Sequence, residues 1–377
     1  MEHYQICTNC VMDTSDPSIA FDAKGVCDNC NGFYKHVLPH WHPNETSRAM
    51  FQKLVDKIKS ESRNKPHDSI LGLSGGPDSS WMLHLVITEF GLRPLVFHVD
   101  GGWDTSAAVN NIKVMVDKLG LDLYTEVIDW QEMRDFQLAF FKAGTSNVDH
   151  PQDHAFVAAQ YKFTKKYNIR YILNGGNYST ECIRTPTLWQ YYGTDMSFIN
   201  DVRKQFGTSK MESYPWSGIL YHKVYLRYIK GVRVVKPLNY LPYIKEIAID
   251  TLSKTYGWQA LPQKHFESRL TKFIEGYWNP TRFGNDIRRV QFSSLIVTGQ
   301  MTREDALKKL ESAPYDPSTI DEEFEYVANK LEISVDELKH YHQMPKKYFR
   351  DYKNREWFFN FGARVMHLMG LERAMKR

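Results

Sequence analysis

One short run, Ser74-Gly75-Gly76-Pro77-Asp78-Ser79-Ser80, has the residue types and the spacing to hold an anion. Adjacent glycines let the backbone turn where a side chain would forbid it and bring peptide N–H groups close to an oxyanion, while Ser74 and Ser79 add hydroxyl donors. The run follows the apolar Ile70-Leu71-Gly72-Leu73 and opens a helical pattern from Trp81 to Phe90. The free N–H groups and the positive end of that helix would therefore face the anion. Asp78 would repel a phosphate unless a divalent cation lay between them, so Mg²⁺ carried by a nucleotide is the expected companion. The Gly-Lys-Ser/Thr ending of a Walker loop is absent.

A second constellation is Cys7, Cys10, Cys27 and Cys30, spaced C-x2-C-x16-C-x2-C. Two such knuckles bring four thiolates to one tetrahedral Zn²⁺, and a full thiolate shell leaves no open position, so the site is expected to be structural. Disulfides are one competing reading, but they belong to secreted chains, and an iron–sulfur cluster is the other. Met1-Glu2-His3-Tyr4 has no signal-peptide pattern and no apolar run reaches membrane-spanning length, so a cytoplasmic location with no membrane partner is expected. The fifth cysteine, Cys182, lies in Ser179-Thr180-Glu181-Cys182-Ile183-Arg184, which lacks the glycines of a nucleophile elbow.

The elements that must position these groups alternate. Apolar runs at residues 70–73, 94–99, 121–128, 170–173 and 232–235 alternate with helical stretches up to an insertion at about 178–230. That pattern predicts a parallel sheet with helices on both faces, whose ligands sit at the carboxyl ends of the strands. Those ends carry the 74–79 loop, Asp100-Gly101-Gly102, Asn174-Gly175-Gly176-Asn177 and Lys236. Asp100 suits ribose hydroxyls or an adenine amine, Asn174 and Asn177 a reacting group, and Lys236 a phosphate. Beyond about 260 the strand pattern gives way to helices, with starts at Thr302-x-x-Asp305 and Ser334-x-x-Glu337 and an aromatic amphipathic helix from Glu356 to Met369. The expected units are 1–45, a zinc ribbon; 46–259, the nucleotide domain; and 260–377, a helical domain. With 48 basic and 44 acidic residues, a net charge of +4 gives no field for nucleic acid.

Several stretches together resemble the N-acetyl sugar amidotransferases of bacterial surface-polysaccharide biosynthesis, within the ATP-pyrophosphatase (PP-loop) superfamily. They run from Cys7-Thr8-Asn9-Cys10 and Cys27-Asp28-Asn29-Cys30 through Ser74–Ser80, Pro151-Gln152-Asp153-His154, Gly175-Gly176-Asn177 and Lys236-Pro237-Leu238 to Lys264-His265-Phe266-Glu267-Ser268-Arg269, Ser293-Ser294-Leu295 and Gly299-Gln300-Met301-Thr302. The resemblance implies an adenine nucleotide alpha hydrolase-like fold and ATP as co-substrate. An acetamido group on a nucleotide-linked sugar is adenylated and then attacked by ammonia to give an acetamidino group, as in lipopolysaccharide O-antigen synthesis. It also implies a separate glutaminase with a barrel-type companion as ammonia source, and the aromatic C-terminal helices are a candidate docking face. Lys236 and Asp78 would then be catalytic, with Asp153 or His265 shuttling a proton from the attacking ammonia. Relatives tend to have glycines where this chain has Leu261-Pro262-Gln263, which bears on the backbone path at His265 and Glu267. The alternative is a tRNA-modifying sulfurtransferase, several of which join CxxC pairs to the same loop; it needs a persulfide cysteine, for which only Cys182 is left.

Overall fold

The computed structural model describes residues 4–368, so Met1 to His3 and the end of the last expected helix at Met369 lie outside the described residues. Five strands, β1 (Ser69–Gly72), β2 (Pro94–Asp100), β3 (Leu123–Val127), β4 (Tyr171–Leu173) and β5 (Arg233–Val235), form one sheet in the order β3-β2-β1-β4-β5. All four pairings are parallel, with Leu71 opposite both Val96 and Leu173. Strand residues alternate between two cores. Leu71, Leu73, Val96, Tyr171 and Leu173 pack with the helices Glu45–Glu61, Pro77–Thr88, Ser106–Leu119 and Lys245–Tyr256, whereas Ile70, Leu95, Phe97, Val99 and Ile172 pack with Trp130–Lys142, His150–Lys166 and Met196–Phe206. A two-residue period with both faces apolar is what a parallel sheet covered on both sides requires.

The order reverses at β1. The chain runs outward from β1 to β2 and β3, then returns to place β4 on the other side. The crevice at that reversal, above the carboxyl ends, is where such sheets take ligands.

After Lys245–Tyr256 the described secondary structure is helical, as the sequence pattern predicts. Helices start at Arg303 and Val335, and their caps are made by Thr302 accepting from the Asp305 N–H and Ser334 from the Glu337 N–H. Two stretches of this region depart from α geometry, the 3-10 turn Phe349–Asp351 and a π-helix. Ile274–Trp278 is a π-helix between Arg269–Phe273 and Asn279–Phe283, closed by the Asn279 N–H bonding five residues back to the Ile274 carbonyl. Pro280 follows at once, and it has no N–H to continue an α ladder.

No described helix is long and apolar enough to cross a membrane.

Candidate active site

The phosphate-loop helix begins at Pro77, four residues before the apolar periodicity suggests, because Gly76 is its N-cap and proline is preorganised for the first helical position. Asp78 and Ser79 therefore lie in the first turn. Gly75 sits at φ +82, and a Cβ on it would press to 2.6 Å from the Ala108 carbonyl oxygen. Both facts require glycine there. The Asn111 carboxamide, buried below, donates to the Gly75 carbonyl at 3.1 Å and clasps Gln259 by accepting its N–H at 2.7 Å and donating to its carbonyl at 2.9 Å. Above, Ser74 and Ser79 bring their hydroxyl oxygens to 3.2 Å.

Asp78 has neighbours that the sequence did not identify. Its Oδ2 accepts from Lys264 Nζ at 2.8 Å and its Oδ1 from the Tyr243 hydroxyl. Lys264, only 9% exposed, also donates to Glu181 at 2.6 Å. Burial opposes charge on both Asp78 and Lys264, but their mutual attraction outweighs it: Asp78 is held below the usual carboxylate range and Lys264 above its ordinary value. The repulsion expected between Asp78 and a phosphate is thus already answered by a lysine from the C-terminal side of the chain. Lys236 belongs to the same cluster, since a Cβ on Gly176 would come within 3.3 Å of its Nζ and 3.4 Å of Glu181.

The remaining predicted residues divide. Gly175 lies against the loop, where an added Cβ would be 3.6 Å from the Asp78 carbonyl carbon and the Ser79 nitrogen. Asn177 spends both ends of its amide locally, accepting from the Thr180 N–H and donating to the Gly175 carbonyl, so it shapes the β4 turn. Asp100 accepts from the Gly102 N–H at 2.8 Å and is not among the residues lining the adjacent cavity.

That cavity, about 590 Å³, is within the range of small-molecule sites. One end is formed by Leu73 and Ser74, His98, and Asn174 and Gly175, at the ends of β1, β2 and β4. His98 bonds the Leu73 carbonyl at 3.0 Å and Asp104 at 2.9 Å. The floor brings together Asp149, Asp153, His265 and Glu275. His265 adopts φ +69, a left-handed conformation that is costly without glycine, and faces Glu275 at 3.0 Å. Burial opposes its charge but Glu275 prevails, raising it to about 9. Asp153 is raised to about 6, first by burial and further by Glu275, against the pull of His265. Asp149 is raised well above the usual range by burial and by Asp153. Sequence reasoning singled out Asp153 and His265 but missed Asp149, Glu275 and His98, which no local motif marks.

The four cysteine sulfurs lie within 4.8 Å of one another, with Cys10–Cys27 at 3.7 Å and Cys7–Cys30 at 4.0 Å. Tetrahedral Zn–S bonds of about 2.3 Å place sulfurs about 3.8 Å apart, so the cluster fits zinc. Backbone N–H groups of Cys10, Met12 and Cys27 point at these sulfurs, as thiolates require. Cys182 is different: it donates to the Ser294 carbonyl, and burial pushes its thiol up to about 12.

The parallel five-stranded sheet, covered on both faces, and the strand–glycine loop–helix at β1 define an α/β fold, joined to a four-cysteine site compatible with zinc and a helical C-terminal region. Residues 267–366 of that region match the family model described as LPS biosynthesis protein WbpG-like, C-terminal domain. No curated protein matches the sequence. Among solved structures, the chain is similar to an NH3-dependent NAD synthetase from Campylobacter jejuni at 15% identity, covering 80% of this chain and 98% of that one, with a TM-score of 0.29. An NMN synthetase from Francisella tularensis matches at 12% identity over 81% and 98%, with a TM-score of 0.33. Scores this low carry no argument about geometry, so the fold assignment rests on the sheet and loop themselves.

Proposed function

We propose that the protein is an ATP-dependent amidotransferase that converts an acetamido group on a sugar to an acetamidino group during surface-polysaccharide synthesis. The observation that carries this reading is a cavity lined both by Ser74 of the glycine loop and by Glu267, Thr271, Glu275, Asn279 and Asn285 of the region that matches the WbpG-like model.

An amide oxygen leaves poorly, so its replacement by nitrogen needs activation. ATP would bind with its phosphates on the loop and its adenosine toward the ends of β1, β2 and β4. The acetamido oxygen attacks the α-phosphorus and pyrophosphate departs. Ammonia then adds to the activated carbon, AMP leaves with the original oxygen, and one proton is given up. The loop N–H groups, Lys264 and Lys236 would stabilise charge on the departing pyrophosphate, and Mg²⁺ bound to ATP would supply further electrostatic stabilisation there. Asp153, ionised at neutral pH with its value of about 6, suits the released proton. His265, already charged below about 9, does not accept one at neutral pH.

The nitrogen source would be a separate glutaminase. Cys182, buried and with a strongly raised thiol, is a poor nucleophile, which supports a chain that is only the synthetase half. The exposed Trp357 and Phe361 of the last helix offer a docking face for that partner. The test is AMP and pyrophosphate release from ATP with acetamido-sugar nucleotides and ammonium salts, with the product identified by mass spectrometry. Activity should rise toward alkaline pH as free ammonia increases, and glutamine should serve only when the glutaminase is added. Glutamine-dependent turnover by the chain alone, lost in Cys182→Ala, would overturn the division of labour; AMP release with tRNA and none with acetamido sugars would overturn the reaction.

A further inference from the structure

Asn147, Asn279, Asn285 and Trp189 form one part of the cavity lining, tied together by the bonds of Asn279 to the Ser146 carbonyl, of the Asn285 N–H to the Asn279 carbonyl and of the Ser146 hydroxyl to the Trp189 carbonyl, and the bonding of the three carboxamides is incomplete. Asn285 is 8% exposed, and its carboxamide makes no hydrogen bond to a described residue. Asn279 donates to the Ser146 carbonyl, but its Oδ1 is buried without a partner. Asn147, 3% exposed, accepts from the Tyr191 N–H through Oδ1, leaving its two donors unused among the described residues. Of these atoms the Asn279 Oδ1 is the one both buried and unpartnered, which costs about 1–3 kcal/mol, while the free Asn147 and Asn285 amide groups open onto the cavity; together they offer an occupant both donors and acceptors. Trp189 gives its indole N–H to the Ser15 carbonyl, so what it turns to the cavity is apolar ring surface.

The electrostatics narrow the occupant further. Asp104, Asp149, Asp153, Glu267 and Glu275 line the cavity, and no lysine or arginine is among its described lining residues. Apart from His265 beside Glu275, this lining offers a phosphate no fixed cation, so away from the loop it disfavours phosphate and accepts neutral hydroxyl and amide donors. The phosphate-compatible charges, Lys264 and Lys236, are gathered instead around Asp78 and Glu181. The π turn has a purpose in this arrangement, because Glu275 and Asn279 lie at its two ends and both line the cavity. Such turns are frequent at functional sites because they re-aim side chains that α geometry would direct elsewhere.

We propose that this part of the cavity is the subsite for an uncharged N-acetylated sugar ring, read by Asn147, Asn279 and Asn285 against Trp189, with any phosphate-bearing carrier left outside it. The proposal rests on the amidotransferase reading and gives the WbpG-like domain its part, since Asn279 and Asn285 both come from it.

The test uses the whole protein with a non-hydrolysable ATP analogue. Free N-acetylglucosamine, N-acetylgalactosamine and N-acetylmannosamine are titrated by saturation-transfer NMR, with UDP as competitor. At least one sugar should bind saturably with strongest transfer to the acetyl methyl, and UDP should not displace it. Asn285→Ala should weaken it about tenfold or more, while the ATP analogue binds as before. If that variant fails to fold, Asn285→Asp keeps the shape and should give the same loss. Equal sugar affinity in a folded Asn285 variant, or displacement by UDP, would overturn the subsite even if sugar-dependent AMP release continued. If no acetamido sugar binds or elicits AMP from the unaltered protein, the functional reading falls and the subsite with it.

Discussion

At the residue scale the decisive arrangement is the bridge from Asp78 to Lys264 to Glu181, in which one buried ammonium is shared by two carboxylates. Removing one partner of a buried pair usually costs several kcal/mol, but here Lys264 retains Glu181 when Asp78 is neutralised. Asp78→Asn should therefore fold and yet lose about a hundredfold in AMP formation, because the carboxylate that holds the Lys264 ammonium beside the loop is gone. Near-normal turnover would mean that the loop is only a turn. His265 invites a direct measurement. Its imidazole should titrate near 9 by NMR, and Glu275→Gln should bring it down toward the ordinary value. Since the folded value is the raised one, the stabilisation is complete below the unfolded pKa of about 6.5 and disappears as pH rises through 9. The stability gap between wild type and Glu275→Gln should thus be fullest below about pH 6.5, shrink above it and close in alkaline solution; a gap that widens with pH would refute the pairing.

At the scale of elements, the strand, loop and helix of the phosphate site are held by contacts from distant segments. Asn111 ties the loop to Gln259, and the 264–268 segment runs beside residues 103–105, with the Thr105 N–H bonding the Glu267 carbonyl and the Arg269 N–H the Trp103 carbonyl. This brings the Glu267 carboxylate onto Gly76, where any Cβ would collide with it. Glu267 is raised by burial, with His265 opposing that shift. Gly76→Ala forces the Glu267 carboxylate aside and should weaken ATP binding while leaving the sheet intact by circular dichroism. The double variant Gly76→Ala with Glu267→Ala should recover ATP binding in part, because the φ of −81 at Gly76 is open to alanine. No recovery would show that the N–H cradle itself, rather than the collision, forbids the side chain.

On the scale of the whole molecule, residues 7–13 meet residues 289–303. Arg303 donates to the Cys7 and Cys10 carbonyls, Arg289 pairs with Asp13 at 3.1 Å and bonds the Val11 carbonyl, and the Val11 N–H bonds Ser293. The cysteine cluster shares a core with Ile183, Trp189, Val290 and Val297. A metal that organises residues 7–30 therefore braces the wall of the cavity. One zinc per chain is expected by metal analysis. Folding coupled to such sites is worth on the order of 10 kcal/mol, so Cys27→Ser or chelation should lower the unfolding midpoint before any change in the chemistry of the remaining folded protein. A folded, metal-free protein with all four cysteines intact would overturn the assignment.

The sequence by itself determined what is local or periodic: the five strands, the glycine loop, the cysteine knuckles and the capped helix starts all follow from neighbours within a few residues. Lys264, Glu181 and Tyr243 converge on Asp78 from positions 186, 103 and 165 residues away, and no spacing rule reaches across such distances. The same is true of Asn147, Asn279 and Asn285, which look like ordinary polar residues until the fold buries them around one space. Asn177 shows the reverse case, a strand-end residue in the expected place whose amide the turn consumes. Chemistry at this site depends on which charges share a desolvated volume, and only the tertiary structure decided that, because burial and Coulomb attraction act through space while the motifs act along the chain.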